Sequence, residues 1–264
     1  MEYQTLIVER AGNVTTVTLN RPELKNALSM QGLVELKQLM EELRVDLDTR
    51  FVIFTGKGDA FCSGMEVSAR TFEEGAKMGG EMADPRLQQL FGHDFMNAME
   101  SLEQVTVAAV NGVALGAGLC LAMNCDFRIA SEGALFGVPE AKLGMFFTWG
   151  ATPRLVSLVG PAKAKELIMT CENIDAQEAW RIGLVNKVVP DRDLMSACHA
   201  LVEKIGSKGK LAIRMTKKMV NAASLAKMAD LYPMEPELVE CLAVSGEMDE
   251  CIRALIEKRP PRSL

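Results

Sequence analysis

Residues 110–144, VNGVALGAGLCLAMNCDFRIASEGALFGVPEAKLG, constrain what this chain can fold into more than any other stretch. They begin at the end of a short β-branched run, residues 106–110, which reads as a buried strand bounded by Asn111-Gly112. The small residues Gly116-Ala117-Gly118 then turn the chain into an apolar segment long enough for about two turns of buried helix. A strand, a tight turn and a helix start thus follow one another directly. The first backbone N–H groups of such a helix have no intrahelical partner and sit at the positive end of its dipole. They can hold a developing oxyanion where small residues let a substrate approach. Glu140 follows Pro139 in the mostly apolar neighbourhood of residues 135–143. A carboxylate there is a candidate for a raised pKa and for acid/base work. The plain alternative is a helix-start carboxylate satisfied by the dipole.

The flanks read as an α/β chain. Residues 6–8 and 14–19 alternate as strands around Ala11-Gly12-Asn13, which predicts an N-terminal hairpin. Ser29 is placed as the N-cap of a helix with the apolar face Leu33, Leu36, Met40, Leu43 and Leu47, at steps of three and four. Residues 51–55 form a short buried strand ended by Gly56-Lys57-Gly58. Strands alternating with helices predict an α/β core with right-handed crossovers. Residues 65–99 are less regular, with Gly75, Gly79, Gly80 and Pro85, and a helix is expected over 87–100. After the central stretch, Gly160-Pro161 opens one helix and Asp175-Ala176-Gln177-Glu178 starts another in capping-box fashion, closed by Gly183. Amphipathic helix is expected over 191–206, over 208–229 and near the C-terminus. No linker intervenes, so the chain divides into a core over 1–190 and a helical region over 191–264 that is not an independent domain.

A chain of 264 residues, 48% hydrophobic, suffices for one domain with a large core. The net charge of -6 and the scattered basic residues argue against a nucleic-acid partner. The start, MEYQTLIVER, has no basic region followed by an apolar one, and no window approaches the ~20 apolar residues of a membrane span. A cytoplasmic protein without membrane contact is expected. Seven cysteines with no CxxC pair and only two histidines for company read as reduced thiols, not as a disulfide framework or a zinc site. Neither a GxxxxGKS phosphate loop nor a dinucleotide fingerprint is present.

VNGVALGAG, CDFRIAS and FGVPEAKLG at this spacing resemble the crotonase (enoyl-CoA hydratase/isomerase) superfamily. AFCSGMEV at 60–67 and EAWRIGLVNKVVP at 178–190 fit the same pattern, so the resemblance covers nearly the whole chain. It implies an α/β fold of the ClpP/crotonase type, a ββα-superhelix core with a C-terminal helical region that mediates homotrimers or dimers of trimers. It implies an acyl-CoA substrate, with coenzyme A as part of that substrate and no separate cofactor or metal. It places the oxyanion-hole donors on the N–H groups of Met65 and Ala117 and the acid/base on Glu140. Contacts to coenzyme A fall on Lys25, Ala27 and Lys258.

One position departs from the family pattern. Hydratases that this chain resembles carry a second glutamate in a CEL triplet where it reads Leu119-Cys120-Leu121. Two carboxylates suit hydration, because one can deprotonate water while the other delivers a proton to carbon. One base suffices to move a double bond from the β,γ to the α,β position. The expectation therefore leans to isomerisation, with hydration as the alternative and a non-catalytic acyl-CoA binder as a second; decarboxylation or thioester hydrolysis through the same enolate stays open. Cys120 is either a small buried hydrophobe or a thiol of lowered pKa near a helix start. Glu66 stands where the family has aspartate and is either a second acid or a salt-bridge partner. His93, in the helix expected to line the acyl pocket, is either a pocket residue or a satisfied histidine. Trp149, in the aromatic run Phe146-Phe147-Thr148-Trp149 soon after Glu140, either bounds the acyl end of the pocket or belongs to the core.

Overall fold

The computed structural model describes residues 3–66, 85–225, 240, 244 and 246–259. β1 (Leu6–Ala11) and β2 (Val14–Leu19) form the expected hairpin, paired antiparallel from Leu6↔Leu19 to Ala11↔Val14. Ser29 caps α1 (Met30–Val45), its Oγ accepting from the Gly32 N–H at 3.1 Å. Leu33, Leu36, Met40 and Leu43 lie buried along one face, as their spacing requires. Leu47 does not join them and is exposed. The helix has already ended: the Asp46 carboxylate accepts from the N–H groups of Asp48 and Thr49 and from the Thr49 hydroxyl, an Asx turn that competes with further helix.

From there the chain builds a superhelix. β3 (Phe51–Gly56) is followed by β4 (Ala60–Cys62), then by α2 (Pro85–Glu100). β5 (Val105–Val110) is followed by β6 (Val113–Leu115) and α3 (Ala117–Asn124). β7 (Phe127–Ser131) is followed by β8 (Leu135–Gly137), a 3-10 turn at Glu140–Leu143 and α4 (Ala151–Thr170). β9 (Ile174–Asp175), α5 (Ala176–Arg181) and β10 (Lys187–Val189) close the core. The long strands make one sheet in the order β1-β2-β3-β5-β7-β10, parallel beyond the hairpin. The short ones make a second, β4-β6-β8-β9, in which only β8 and β9 run antiparallel. Every residue of β5 is buried, as a parallel strand covered on both faces demands. One face of the large sheet meets the main core. The other meets α6 (Leu194–Gly206), whose Leu194, Cys198 and Val202 pack on Phe51, Ile53, Val107 and Ile129. α7 (Lys210–Leu225) and α8 (Glu247–Ile256) follow.

Some elements differ from the sequence pattern. β6 has no announcement of its own, since three residues carry too little periodicity to be separated from the adjoining turns. α4 starts at Ala151 and bends at Gly160 (φ 77°), so Pro161 opens only its second half. At α5 the cap forms, Asp175 Oδ1 accepting from the Glu178 N–H at 2.8 Å. The Glu178 carboxylate pairs with Arg181 and Lys163 instead of reaching back to the cap. The glycine-rich part of residues 67–84 and the end of the helix expected over 208–229 lie outside the described residues.

Arg128 sets the direction of α3. Its guanidinium, almost wholly buried, donates from Nε to Leu184 O (2.7 Å) and from Nη1 to Cys125 O (2.6 Å) and Met123 O (3.4 Å). The last two carbonyls lie at the C-terminal end of α3, where no intrahelical donor remains and the dipole is negative, so a cation satisfies both needs. Replacing Arg128 with Met leaves three buried carbonyls without this donor. The expected cost is about 2–4 kcal/mol, read as a lower urea midpoint at unchanged m value; a loss under about 1 kcal/mol would show that other donors take its place.

Candidate active site

The site is assembled from two backbone turns and one side chain. The first turn runs beside Leu28, whose N–H donates to Gly64 O while the Glu66 N–H donates to Leu28 O, both at 2.8 Å. In a parallel bridge of this kind the bonded groups belong to the residues on either side of Met65, so the Met65 N–H points away from Leu28. It points from a turn that abuts the start of α3. A Cβ added to Gly64, at φ 111°, would stand 3.2 Å from Leu115 O and 3.9 Å from the Ala117 nitrogen. The second turn is at Gly116 (φ 50°, ψ -120°), a backbone conformation that side-chain-bearing residues avoid and that takes β6 directly into α3. Ala117 is then the first helical residue. Neither its N–H nor that of Met65 has an acceptor among the described residues.

Glu140 reaches back to this place from the 3-10 turn after β8. A Cβ on Gly116 would stand 2.7 Å from Glu140 Oε1. Glu140 Oε2 is buried and has no hydrogen-bond partner among the described residues. Burial therefore penalises the carboxylate and pushes its pKa up to about 7, against a smaller lowering by the residue's own N–H. Cys120 is buried one helical turn beyond Gly116, its N–H bonded to Gly116 O at 2.9 Å.

Other residues singled out by the sequence flank this centre. Glu66 forms an ion pair with Arg21, Oε2 to Nη2 at 2.8 Å. Arg21 Nη1 also donates to Ala27 O, and the Ser63 N–H donates to Lys25 O, so the turn carrying Lys25 and buried Ala27 lies against the Met65 turn. The Lys25 side chain is exposed. Lys258, also exposed, follows α8, the helix that packs on the 3-10 turn of Glu140. Buried His93 sits on α2 next to Gly92, where an added Cβ would stand 2.1 Å from the Trp149 indole nitrogen. Trp149 and α2 thus form one packed group. The sequence reading passes over Arg21 and Asn26 as site residues. The buried Asn26 amide holds Lys57 O and Ala60 O, and its Oδ1 accepts from the Arg21 N–H. The only signal for either is a polar pair inside a turn with Pro22.

A ββα superhelix whose turns carry two N–H groups with no acceptor among the described residues, and a shielded carboxyl beside them, fits the crotonase class of fold. Comparison with known proteins is consistent over the full length. The family model for Enoyl-CoA hydratase/isomerase matches residues 9–263. The chain is 39% identical to a short-chain-enoyl-CoA hydratase of Clostridium acetobutylicum, covering 98% of this chain and 97% of that protein. It is similar to the crystal structure of an enoyl-CoA hydratase from Mycobacterium avium subsp. paratuberculosis K-10, with 26% identity, full coverage of both chains and a TM-score of 0.87. It is also similar to a monofunctional enoyl CoA isomerase from M. smegmatis, with 33% identity, 83% of this chain and 93% of that one covered, and a TM-score of 0.69. The chain belongs to the enoyl-CoA hydratase/isomerase family, and it is an enzyme of that family. Among the described residues no helix is long and apolar enough to cross a membrane.

Gly116→Ala would drive a methyl group against Glu140 Oε1 as well as straining the turn. It is expected to lower kcat/KM for an enoyl-CoA by about a hundredfold, the scale of an ångström-sized misplacement. Gly12→Ala, also at positive φ but with open space around it, is the control and should stay within about twofold.

Proposed function

We propose that this enzyme moves a double bond from the β,γ to the α,β position of an acyl-CoA thioester. The observation that carries this reading is one shielded carboxyl among the described residues, Glu140, with Cys120 where the resemblance would place a second carboxylate to serve water. In the proposed reaction the thioester oxygen accepts hydrogen bonds from the N–H groups of Met65 and Ala117. Glu140 removes a proton from the α-carbon, and the electron pair is delocalised onto the thioester oxygen as a dienolate. Protonated Glu140 then delivers a proton to the γ-carbon, the double bond re-forms between the α and β carbons, and no water is consumed. Each N–H donor would contribute roughly 3–4 kcal/mol to stabilising the dienolate. A carboxyl titrating near neutrality suits both halves of this cycle. The Arg21–Leu28 turn, with Lys25 and Ala27, and Lys258 would receive the coenzyme A portion.

Hydration of an α,β-enoyl-CoA is the second reading, favoured by the name of the Clostridium relative at 39% identity. There Glu140 alone would handle both the water and the carbon-bound proton. Cytoplasmic location and a homotrimer or homohexamer belong to the same proposal. The described cysteines form no disulfide with one another, which supports a reducing compartment. Exposed Leu211, Met215 and Met219 at four-residue steps along α7 support burial against another copy.

Mass and absorbance analysis of products from matched β,γ- and α,β-enoyl-CoA substrates separates the readings. Conversion of the β,γ compound at constant mass supports isomerisation, while gain of one water by the α,β compound establishes hydration and overturns it. Turnover of neither compound would overturn both readings. Glu140→Gln is expected to lower kcat by about a thousandfold. For the parent enzyme kcat/KM should rise with pH and level off above an inflection near 7, because the deprotonated form is the base.

The same carboxyl affects stability with a defined sign. Its folded pKa lies above the ordinary 4.5, so between those values the folded state holds the extra proton and stability falls as pH rises. At pH 8 Glu140→Gln should therefore be more stable than the parent, by up to about 3 kcal/mol, with the difference gone below about pH 4. Denaturant titrations at both pH values measure it; equal stability at pH 8 would mean that the carboxylate is not shielded.

A further inference from the structure

We propose that the Arg21–Glu66 ion pair is a positioning device for the oxyanion hole, holding the Met65 N–H in its direction; this rests on the oxyanion role given to that N–H above. The direction is set by an isolated bridge of two hydrogen bonds, Leu28 N–H to Gly64 O and Glu66 N–H to Leu28 O. On the N-terminal side of that bridge Ser63 ties the same two segments together, its N–H donating to Lys25 O and its Oγ to Leu24 O. On the other side, at Glu66, one guanidinium joins the two segments and grips the bridge from both ends. Arg21 Nη1 holds Ala27 O at 2.9 Å, immediately before Leu28, and Nη2 holds the carboxylate of Glu66 at 2.8 Å, immediately after Met65.

Arg21 is itself anchored to the sheets. Its N–H donates to Asn26 Oδ1, its carbonyl accepts from the Asn26 N–H, and the Asn26 amide donates to Lys57 O and Ala60 O. The planar fork of arginine suits such a two-sided grip, and lysine would not reproduce it. Both side chains are only about one-fifth exposed, so breaking the pair leaves a partly shielded charge and costs some stability. A positioning role should show beyond that cost, in the polarisation of the substrate carbonyl and in kcat of the folded protein.

The test is difference infrared spectroscopy of bound butyryl-CoA labelled with 13C at the thioester carbonyl, together with enoyl-CoA kinetics and thermal melts. The variants are Arg21→Met, Glu66→Gln and the charge-retaining Glu66→Asp. In the parent the carbonyl band should move to lower frequency on binding. Arg21→Met and Glu66→Gln are expected to lose at least about half of that movement and to lower kcat, per folded protein, about tenfold, with KM within about threefold and a Tm lower by a few degrees but still above the assay temperature. Glu66→Asp should recover most of the band shift. Full band shift and full kcat in both Arg21→Met and Glu66→Gln would overturn this inference alone, as would a kcat loss that only tracks loss of folded protein. No band shift in the parent would overturn the oxyanion reading, and this inference with it.

Discussion

The site depends on where α3 begins and on what fixes its other end. A helix of eight residues is too short to hold its own direction in water, so its axis is set by tertiary contacts. Arg128 holds its C-terminal carbonyls, and the buried run Leu119 to Met123 fixes its sides. Gly116 then has to reverse the chain between β6 and the first helical N–H. With those conditions met, the Ala117 N–H is presented without a partner, and the close approach of Gly64 brings the Met65 turn beside it. An unpaired N–H is ordinarily a cost. Among the described residues two stand together at this point, which is the pattern expected where a ligand oxygen completes the hydrogen bonding.

Glu140 makes the opposite electrostatic demand from the same few ångströms. Its Oε2 is shielded without a donor, so the folded chain disfavours the carboxylate at neutral pH. The two features are complementary when a substrate is present. In the proposed reaction, taking up a proton would convert Glu140 to its favoured neutral form while negative charge appeared at the N–H pair, so each half of the site would relieve the strain of the other. Neither half would raise stability alone. A protein without this chemistry would be expected to fill Gly116 with a side chain and pair the carboxyl.

Much of this was legible in the sequence because the relevant signals are local. Ser29 before an apolar 3–4 pattern, Asp175 before Ala176, and the glycines around Ala117 each act within one turn of the chain. Leu47 shows the limit of that reading: its spacing fits the face of α1, but the Asx turn at Asp46 wins because three hydrogen bonds to one carboxylate outweigh one more apolar contact at a helix end. β6 and the first half of α4 were not legible for another reason. Their state is decided by the strands and helices they meet, β4 and β8 in the first case. Arg128 and Arg21 likewise read as ordinary charges until segments far apart in the chain are brought together; for Glu66 the sequence offered a salt bridge but not its partner.

The substitution at Cys120 has a physical consequence that extends beyond the missing acid. A second carboxylate one turn along α3 would add a negative charge to the surroundings of Glu140 and offer acceptors for an ordered water. Here the causes acting on Glu140 are burial and its own N–H, with no charged neighbour among them. A thiol is a weak donor and a weak acceptor, so it holds water poorly and leaves the space beside α3 suited to carbon. Water activation needs a nucleophile held on one side of the β-carbon by something other than the group that protonates the α-carbon. Proton transfer between the α and γ carbons needs only one base that can swing between them. Under the proposed isomerisation a single base would suffice, whereas hydration at this site would have to recruit its water through a polar group other than residue 120.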